Sequence, residues 1–198
     1  MVNLLDLSLI TAPASEPVSL TEAKLQCRVD SSAEDALRTA LIVAARQHVE
    51  ETTSRALITQ TRELRLDAWP QMLYLPRPPA ISITSVTYTD DTGVTATLSA
   101  SAYALRIGTE PGCVLFDGTL LPAVTLADMA GVAVRYTCGY GASASSVPKP
   151  LFQAMLLLIG HWYANREAVA AGNLAPLPMA VDALLAPYRV HWFGEWAQ

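Results

Sequence analysis

The chain predicts an α+β fold in which N-terminal and C-terminal helices form a helical core and a small antiparallel β-domain is inserted between them. Three observations predict it. Two S-x-x-E patterns, Ser19 with Glu22 and Ser31 with Glu34, mark early helix starts. Between residues 57 and 141 the apolar period changes to alternation, in a stretch rich in Thr, Val, Ile and Tyr. Helical spacing then returns at residue 148. The expected divisions are an N-terminal helical part at 17–56, the inserted β-domain at 57–141, and a C-terminal helical part at 148–187 that packs on the N-terminal helices. An aromatic tail follows at 188–198.

Taken in order, Pro17 and Ser19 precede a short helix to about Arg28. Ser31 starts a longer helix to about Glu51, with Ala33, Leu37, Ala40, Leu41, Ala44, Ala45 and His48 expected inside. Arg38, Arg46, Glu50 and Glu51 are expected outside. Ile58, Gln60, Arg62, Leu64 and Leu66 alternate with polar neighbours, which is strand spacing. Residues 73–75 form a short extended piece stopped by Pro76, Pro78 and Pro79. Residues 81–89 and 94–98 flank Asp90-Asp91-Thr92-Gly93, a hairpin turn. A second hairpin is expected from 103–107 and 113–116, and a closing strand at 132–137 ends at Gly139-Tyr140-Gly141.

Pro150 suits the first turn of the next helix, where a missing N–H costs little. Leu151, Met155, Leu158 and Trp162 make one stripe, with Phe152, Ile159 and Tyr163 on its flank. Such a helix needs cover on nearly every side, which a surface helix does not. The stripe is assigned to the chain's own core, and Phe152, Ile159 and Tyr163 to contact with a neighbour. Pro178 precedes a last helix at 179–185, which Pro187 breaks. The terminus carries Tyr188, Arg189, Trp192, Phe193 and Trp196; termini are ordinarily polar, so an aromatic one is expected to dock.

Composition limits the function. The sequence is 52% hydrophobic and only 16% charged, so it can bury a core and still leave apolar surface for contacts. A net charge of −5 argues against obligate nucleic-acid binding. The start of the chain carries Asp6 and no basic region, so no secretion signal is expected. Cys27, Cys113 and Cys138 are distant and odd in number, which reads as free thiols without a zinc site. The apolar run of the 148–169 segment is too short to span a membrane.

Motifs for acyl or phosphoryl transfer, metalloprotease chemistry and dinucleotide binding are absent from the sequence. No cofactor is expected. A hydrolase would have to use His161 with Glu167 and a further acid. A DNA-binding module would have to use Arg62, Arg65, Arg77 and Arg106, although alternation puts Arg62 and Arg65 on opposite faces. His161 and Asn165 share a helix face, and Trp162 and Arg166 are spaced for a cation–π contact.

The order PVSLTEAK (17–24), HVEETTSRALITQTREL (48–64), LPRPP (75–79), SVTYTDDTG (85–93), CGYG (138–141), the 148–169 segment and ALLAPYRV (183–190) resembles one family. It is that of the head–tail connector, or adaptor, proteins of long-tailed bacteriophages and phage-like gene transfer agents. The resemblance covers about residues 17–190. It implies a non-enzymatic neck protein, assembled in the bacterial cytoplasm, that forms a ring of about twelve copies beneath the portal. The ring would extend the DNA channel and carry the stopper and tail. The implied partners are portal protein, stopper protein, further copies of the chain, and double-stranded DNA passing without sequence-specific binding, with no membrane. The expected subunit and portal contacts are Phe152, Ile159, Tyr163, Arg166, Tyr188, Arg189, Trp192, Phe193 and Trp196.

Overall fold

A computed structural model describes residues 4–166 and 179–190. It is α+β, with four α-helices and antiparallel sheets among the described residues. These fall into two compact units. One comprises residues 4–13 and 59–139; the other comprises 14–58, 140–166 and 179–190.

The first unit holds the strands β1 (Leu4–Thr11), β2 (Gln60–Leu66), β3 (Met72–Tyr74), β4 (Ala80–Thr89), β5 (Thr95–Thr97), β6 (Tyr103–Arg106), β7 (Cys113–Phe116) and β8 (Val132–Cys138). Five form one sheet in the order β1-β2-β8-β4-β5, and three form another in the order β3-β7-β6. Alternation along β8 puts Val132, Val134, Tyr136 and Cys138 inside. Tyr136 is fully buried and satisfies its hydroxyl by donating to the Pro76 carbonyl at 2.7 Å. Burial pushes that phenol well above its ordinary pKa. In the β4–β5 turn, the Asp90 carboxylate accepts from the Thr92 and Val94 backbone N–H groups at 3.0 and 2.9 Å, which explains the acidic pair there as turn chemistry.

Two features of this unit differ from the sequence expectation. The N-terminal segment contributes β1, an edge strand antiparallel to β2, to a sheet expected to begin at residue 57. The strand expected to close the β-domain, β8, is instead the centre of the large sheet, paired with both β2 and β4. Strand order depends on partners distant in sequence, which alternation does not encode.

The second unit holds α1 (Leu20–Cys27), α2 (Asp35–Thr53), α3 (Lys149–Ala164) and α4 (Met179–Leu185). A capping box closes the start of α1: Ser19 Oγ accepts from the Glu22 N–H, and the Glu22 carboxylate accepts from the Ser19 N–H at 2.8 Å. The second S-x-x-E pattern does not cap. Ser31 Oγ accepts from the Ala33 N–H instead, and α2 starts at Asp35. Pro150 sits in the first turn of α3 as expected. This helix packs against α1, α2 and α4. Its buried residues Leu151, Ala154, Met155, Leu158 and Ile159 follow the helical period and are all 0% exposed. They join Val18, Ala23, Ile42, Ala45, Val49, Leu57, Val181 and Leu185 in one core.

The orientation of α2 is a correction. Arg38, Arg46 and Glu50, expected outside, are buried, while Ala33, Leu37 and Ala40, expected inside, are exposed. Partners elsewhere in the chain account for this. Arg46 bonds Glu16 at 2.8 Å and Glu50 at 2.9 Å, and Glu50 also accepts from the Leu57 N–H at 2.9 Å. His48 lies half-buried with its ring edge-on to Trp162, centroids 5.9 Å apart, and so is a boundary histidine.

Candidate functional site

The C-terminal end of α3 gathers the charged and aromatic groups that could carry chemistry. Tyr163 lies between two guanidinium groups, with Arg166 4.6 Å from its ring centroid and Arg38 5.1 Å from it. Its hydroxyl donates to Glu34 at 2.6 Å and accepts from Arg38 at 3.0 Å. Glu34 also takes a bidentate pair from Arg166, with both contacts at 2.7 Å. Arg38 bonds Asp35 at 3.0 Å and the Ser31 carbonyl at 3.2 Å. The expected Trp162–Arg166 stacking is therefore replaced. Arg166 stacks on Tyr163 because Glu34 draws its guanidinium to that side.

The Arg166 and Tyr163 hydrogen bonds hold the Glu34 carboxyl at about 2, down from 4.5. The folded value lies below the unfolded one, so the contribution to stability is present above about pH 4.5 and fades as pH falls through about 2. Following the Glu34 carboxyl carbon by NMR, the midpoint is expected well below the ordinary glutamate value, and Arg166→Ala should raise it, with the Tyr163 hydrogen bond still holding it down in part. A wild-type midpoint near 4.5 would show that the clamp does not form.

This cluster binds side chains to one another and leaves no activated nucleophile. His161 lies one turn before the helix end; its carbonyl accepts from the Asn165 side-chain amide at 2.9 Å, and its Nδ1 lies 3.4 Å from the same nitrogen. That is helix capping, and Glu167 lies outside the described residues. Among the described residues no group of three or more His, Cys, Asp and Glu side chains is placed to hold a metal ion. No helix among them is long and apolar enough to cross a membrane.

The large sheet of the first unit carries a second polar cluster. The buried Glu63 accepts from Arg135 at 2.6 Å and from Arg65 at 3.1 Å, beside a cavity of about 290 Å³ also lined by Thr87, Thr89 and Thr95. Arg65 and Arg135 share this one carboxylate, and Arg62 turns to Gln60 at 3.3 Å. Arg62 and Arg65 are thus held by different partners.

The other sequence-predicted contact residues separate. Ile159 is fully buried in the core of its own unit, a correction to its expected contact with a neighbour: it faces inward with Met155 and Leu151. Phe152 is half-buried, with Lys149 Nζ 5.3 Å from its ring centroid. Tyr188 is half-buried and its carbonyl accepts from Arg55 at 2.6 Å, while the exposed Arg189 pairs with Asp182 at 3.0 Å. Val190 N–H donates to the Thr53 carbonyl at 3.0 Å. Trp192, Phe193 and Trp196 lie outside the described residues. Sequence reasoning missed Glu34 as the centre of the clamp, because it read that residue as a cap. The acidic pair Glu34-Asp35 three to four residues before Arg38 was the available signal.

Residues 17–92 match the family model of phage gp6-like head–tail connector proteins. No curated protein matches the sequence. Solved structures match over nearly the whole chain. A chain from the neck of an empty gene transfer agent particle, computed with sixfold symmetry, is 29% identical with a TM-score of 0.80; the match covers 97% of this chain and 100% of that one. A chain from the virion of a native gene transfer agent particle is also 29% identical at a TM-score of 0.80, over 96% and 99% of the two chains. A third, from the neck of a native particle computed with twelvefold symmetry, is 28% identical with a TM-score of 0.73, over 97% and 100%.

Proposed function

From a chain that belongs to the head–tail connector proteins of phages and phage-like gene transfer agents, we propose a ring-forming adaptor that sits beneath the portal of the particle. The protein is a structural component, not an enzyme. The observation that carries the reading is the end-to-end match to a particle-neck chain at a TM-score of 0.80. The sixfold and twelvefold symmetries of those necks support a ring of copies, which a chain of this kind closes through heterologous contacts. In this reading the ring extends the DNA channel and offers the platform on which the stopper and then the tail assemble. The net charge of −5 suits a channel wall, since like charge discourages DNA from sticking.

Portal and stopper contact is proposed for Phe152 and for the tail beginning at Tyr188 and Arg189, with Trp192, Phe193 and Trp196 as apolar anchors. Tyr163 and Arg166, committed to Glu34, act by fixing the end of α3 rather than by touching a partner.

Electron microscopy of particles from cells lacking this protein tests the reading. Filled or DNA-leaking heads without tails are expected, and normal tailed particles would overturn it. In the same assay, removing residues 190–198 is expected to reduce tailed particles. Unchanged assembly would discard the anchoring role of the tail while leaving the adaptor reading in place.

A further inference from the structure

We propose that the hollow beside Glu63, on the outer face of the large sheet, binds the carboxylate of an acidic side chain on another protein chain of the particle; the partner rests on the neck reading above. Alternation along β8 places Ala133 and Arg135 opposite its buried Val132, Val134 and Tyr136. In register, Ala133 stands between Arg65 of β2 and Thr87 of β4, and Arg135 stands beside Glu63. The methyl of Ala133 is shorter than the side chains around it, which leaves room for the cavity of about 290 Å³.

The hydrogen-bond count shows what this hollow still offers. Glu63 accepts from Nε and Nη2 of Arg135 at 3.0 and 2.6 Å, and Nε and Nη2 of Arg65 both lie 3.1 Å from its other oxygen. Each guanidinium keeps an Nη1 without a partner among the described residues. Both arginines are about half-exposed, and two guanidinium groups against one carboxylate leave one positive charge at the rim. Asp6, opposite Arg65 on β1, accepts from Ser8 and does not line the hollow. The Thr89 and Thr95 hydroxyls bond each other at 2.9 Å, which uses one of their two protons. The other proton and the Thr87 hydroxyl remain for a ligand oxygen.

These donors suit a single oxyanion group. Local charge chooses its source. A DNA duplex carries a charge about every 1.7 Å along its axis and needs a basic track. This face offers one net positive charge, with Asp6 on one side and Asp90 and Asp91 directly after Thr89 on the other. Adjacent phosphates would meet those carboxylates. An Asp or Glu side chain brings one charge and two oxygens to the two guanidinium edges.

The first test uses the isolated full chain, with sodium acetate as the probe. The Arg65 and Arg135 Nε–H signals are expected to shift saturably in NMR spectra with acetate, and not with sodium chloride at the same ionic strength. Ala133→Leu, which fills the hollow, should weaken acetate binding roughly tenfold or more, as should Arg65→Gln. Both positions lie on the outer face, so the thermal midpoints should stay near wild type. A response equal to chloride, no saturation, or wild-type acetate binding by either variant would overturn the site. Displacement of bound acetate by a DNA duplex would move the site to phosphate and overturn the choice of partner. In purified particles, a benzophenone amino acid at the exposed Thr97, beside Thr87 in register, is expected on irradiation to join an Asp- or Glu-containing segment of another protein chain. Changing that acid to its amide should remove the crosslink. A crosslink to DNA, no crosslink, or one that survives the amide would count against the proposal. Absence of the chain from particles would sink both this and the neck reading, whereas its presence without acetate binding would sink only this site.

Discussion

Glu50→Ala is expected to destabilise the helical unit by about 3–4 kcal/mol, read as a fall in the midpoint of chemical or thermal unfolding. Glu50 is 4% exposed and ties Arg46 to the Leu57 backbone. It accepts from Arg46 Nη1 at 2.9 Å, one turn earlier on α2, and from the Leu57 backbone N–H at 2.9 Å, beyond the end of that helix. Glu50 therefore shares a buried guanidinium with Glu16 and also positions the chain that leaves α2. Truncation leaves a buried N–H without this acceptor, and leaves Arg46 with Glu16 as its remaining carboxylate partner. For a unit of this size the loss corresponds to roughly 12–30 °C. Glu50→Gln should cost less, because the amide oxygen still accepts from Leu57. Replacing both, Arg46→Met with Glu50→Leu, should not restore stability, because the Leu57 N–H still lacks this acceptor and Glu16 loses Arg46. If Glu50→Ala unfolds within about 1 kcal/mol of wild type, the bridge is ornamental.

The same residue shows why parts of the fold were legible and parts were not. Features set by near neighbours could be read directly: the capping box of Ser19 and Glu22, Pro150 in the first turn of α3, the Asp90–Gly93 turn and the span of α4. The facing of α2 could not. Counting apolar residues placed Leu37 and Ala40 inside, but Arg38 and Arg46 find partners in Tyr163 and Glu16, which lie 125 and 30 residues away. A buried charge is tolerable only with such partners, and spacing within a helix does not reveal them. The edge strand β1 was legible and overlooked: Leu5, Leu7 and Leu9 alternate with Asp6 and Ser8 in LLDLSLIT, but its partner β2, distant in sequence, begins at residue 60. Of the candidate contacts, the inner stripe Leu151, Met155 and Leu158 was legible because burial there repeats at helical spacing. Ile159 was misassigned because α3 is covered by three other helices, which widens its buried face beyond one stripe.

That wide face makes Leu158→Ala the second large effect, expected to cost about 3 kcal/mol, within the usual 2–5 kcal/mol for a fully buried leucine. Leu158 is 0% exposed and sits one turn from Met155 and two from Leu151, in the core that also receives Ile42, Ala45 and Val181. Removing its isobutyl group leaves a void that the surrounding helices can close only in part, because interiors are already close-packed. Ile159→Ala should cost a similar amount, since that side chain is equally buried. Phe152→Ala should cost clearly less, because half-burial removes less surface from water. The three variants together separate a core role from a contact role. Core positions lower the unfolding midpoint of the isolated chain, while a contact position leaves it near wild type and lowers incorporation into particles. Hydrogen exchange adds where the loss falls: for Leu158→Ala, protection should drop in residues 14–58 and 140–166 and stay near wild type along β2 and β8. If Ile159→Ala instead left the isolated chain as stable as wild type and depleted it from particles, the inward assignment of Ile159 would be wrong and α3 would present that flank to a neighbour.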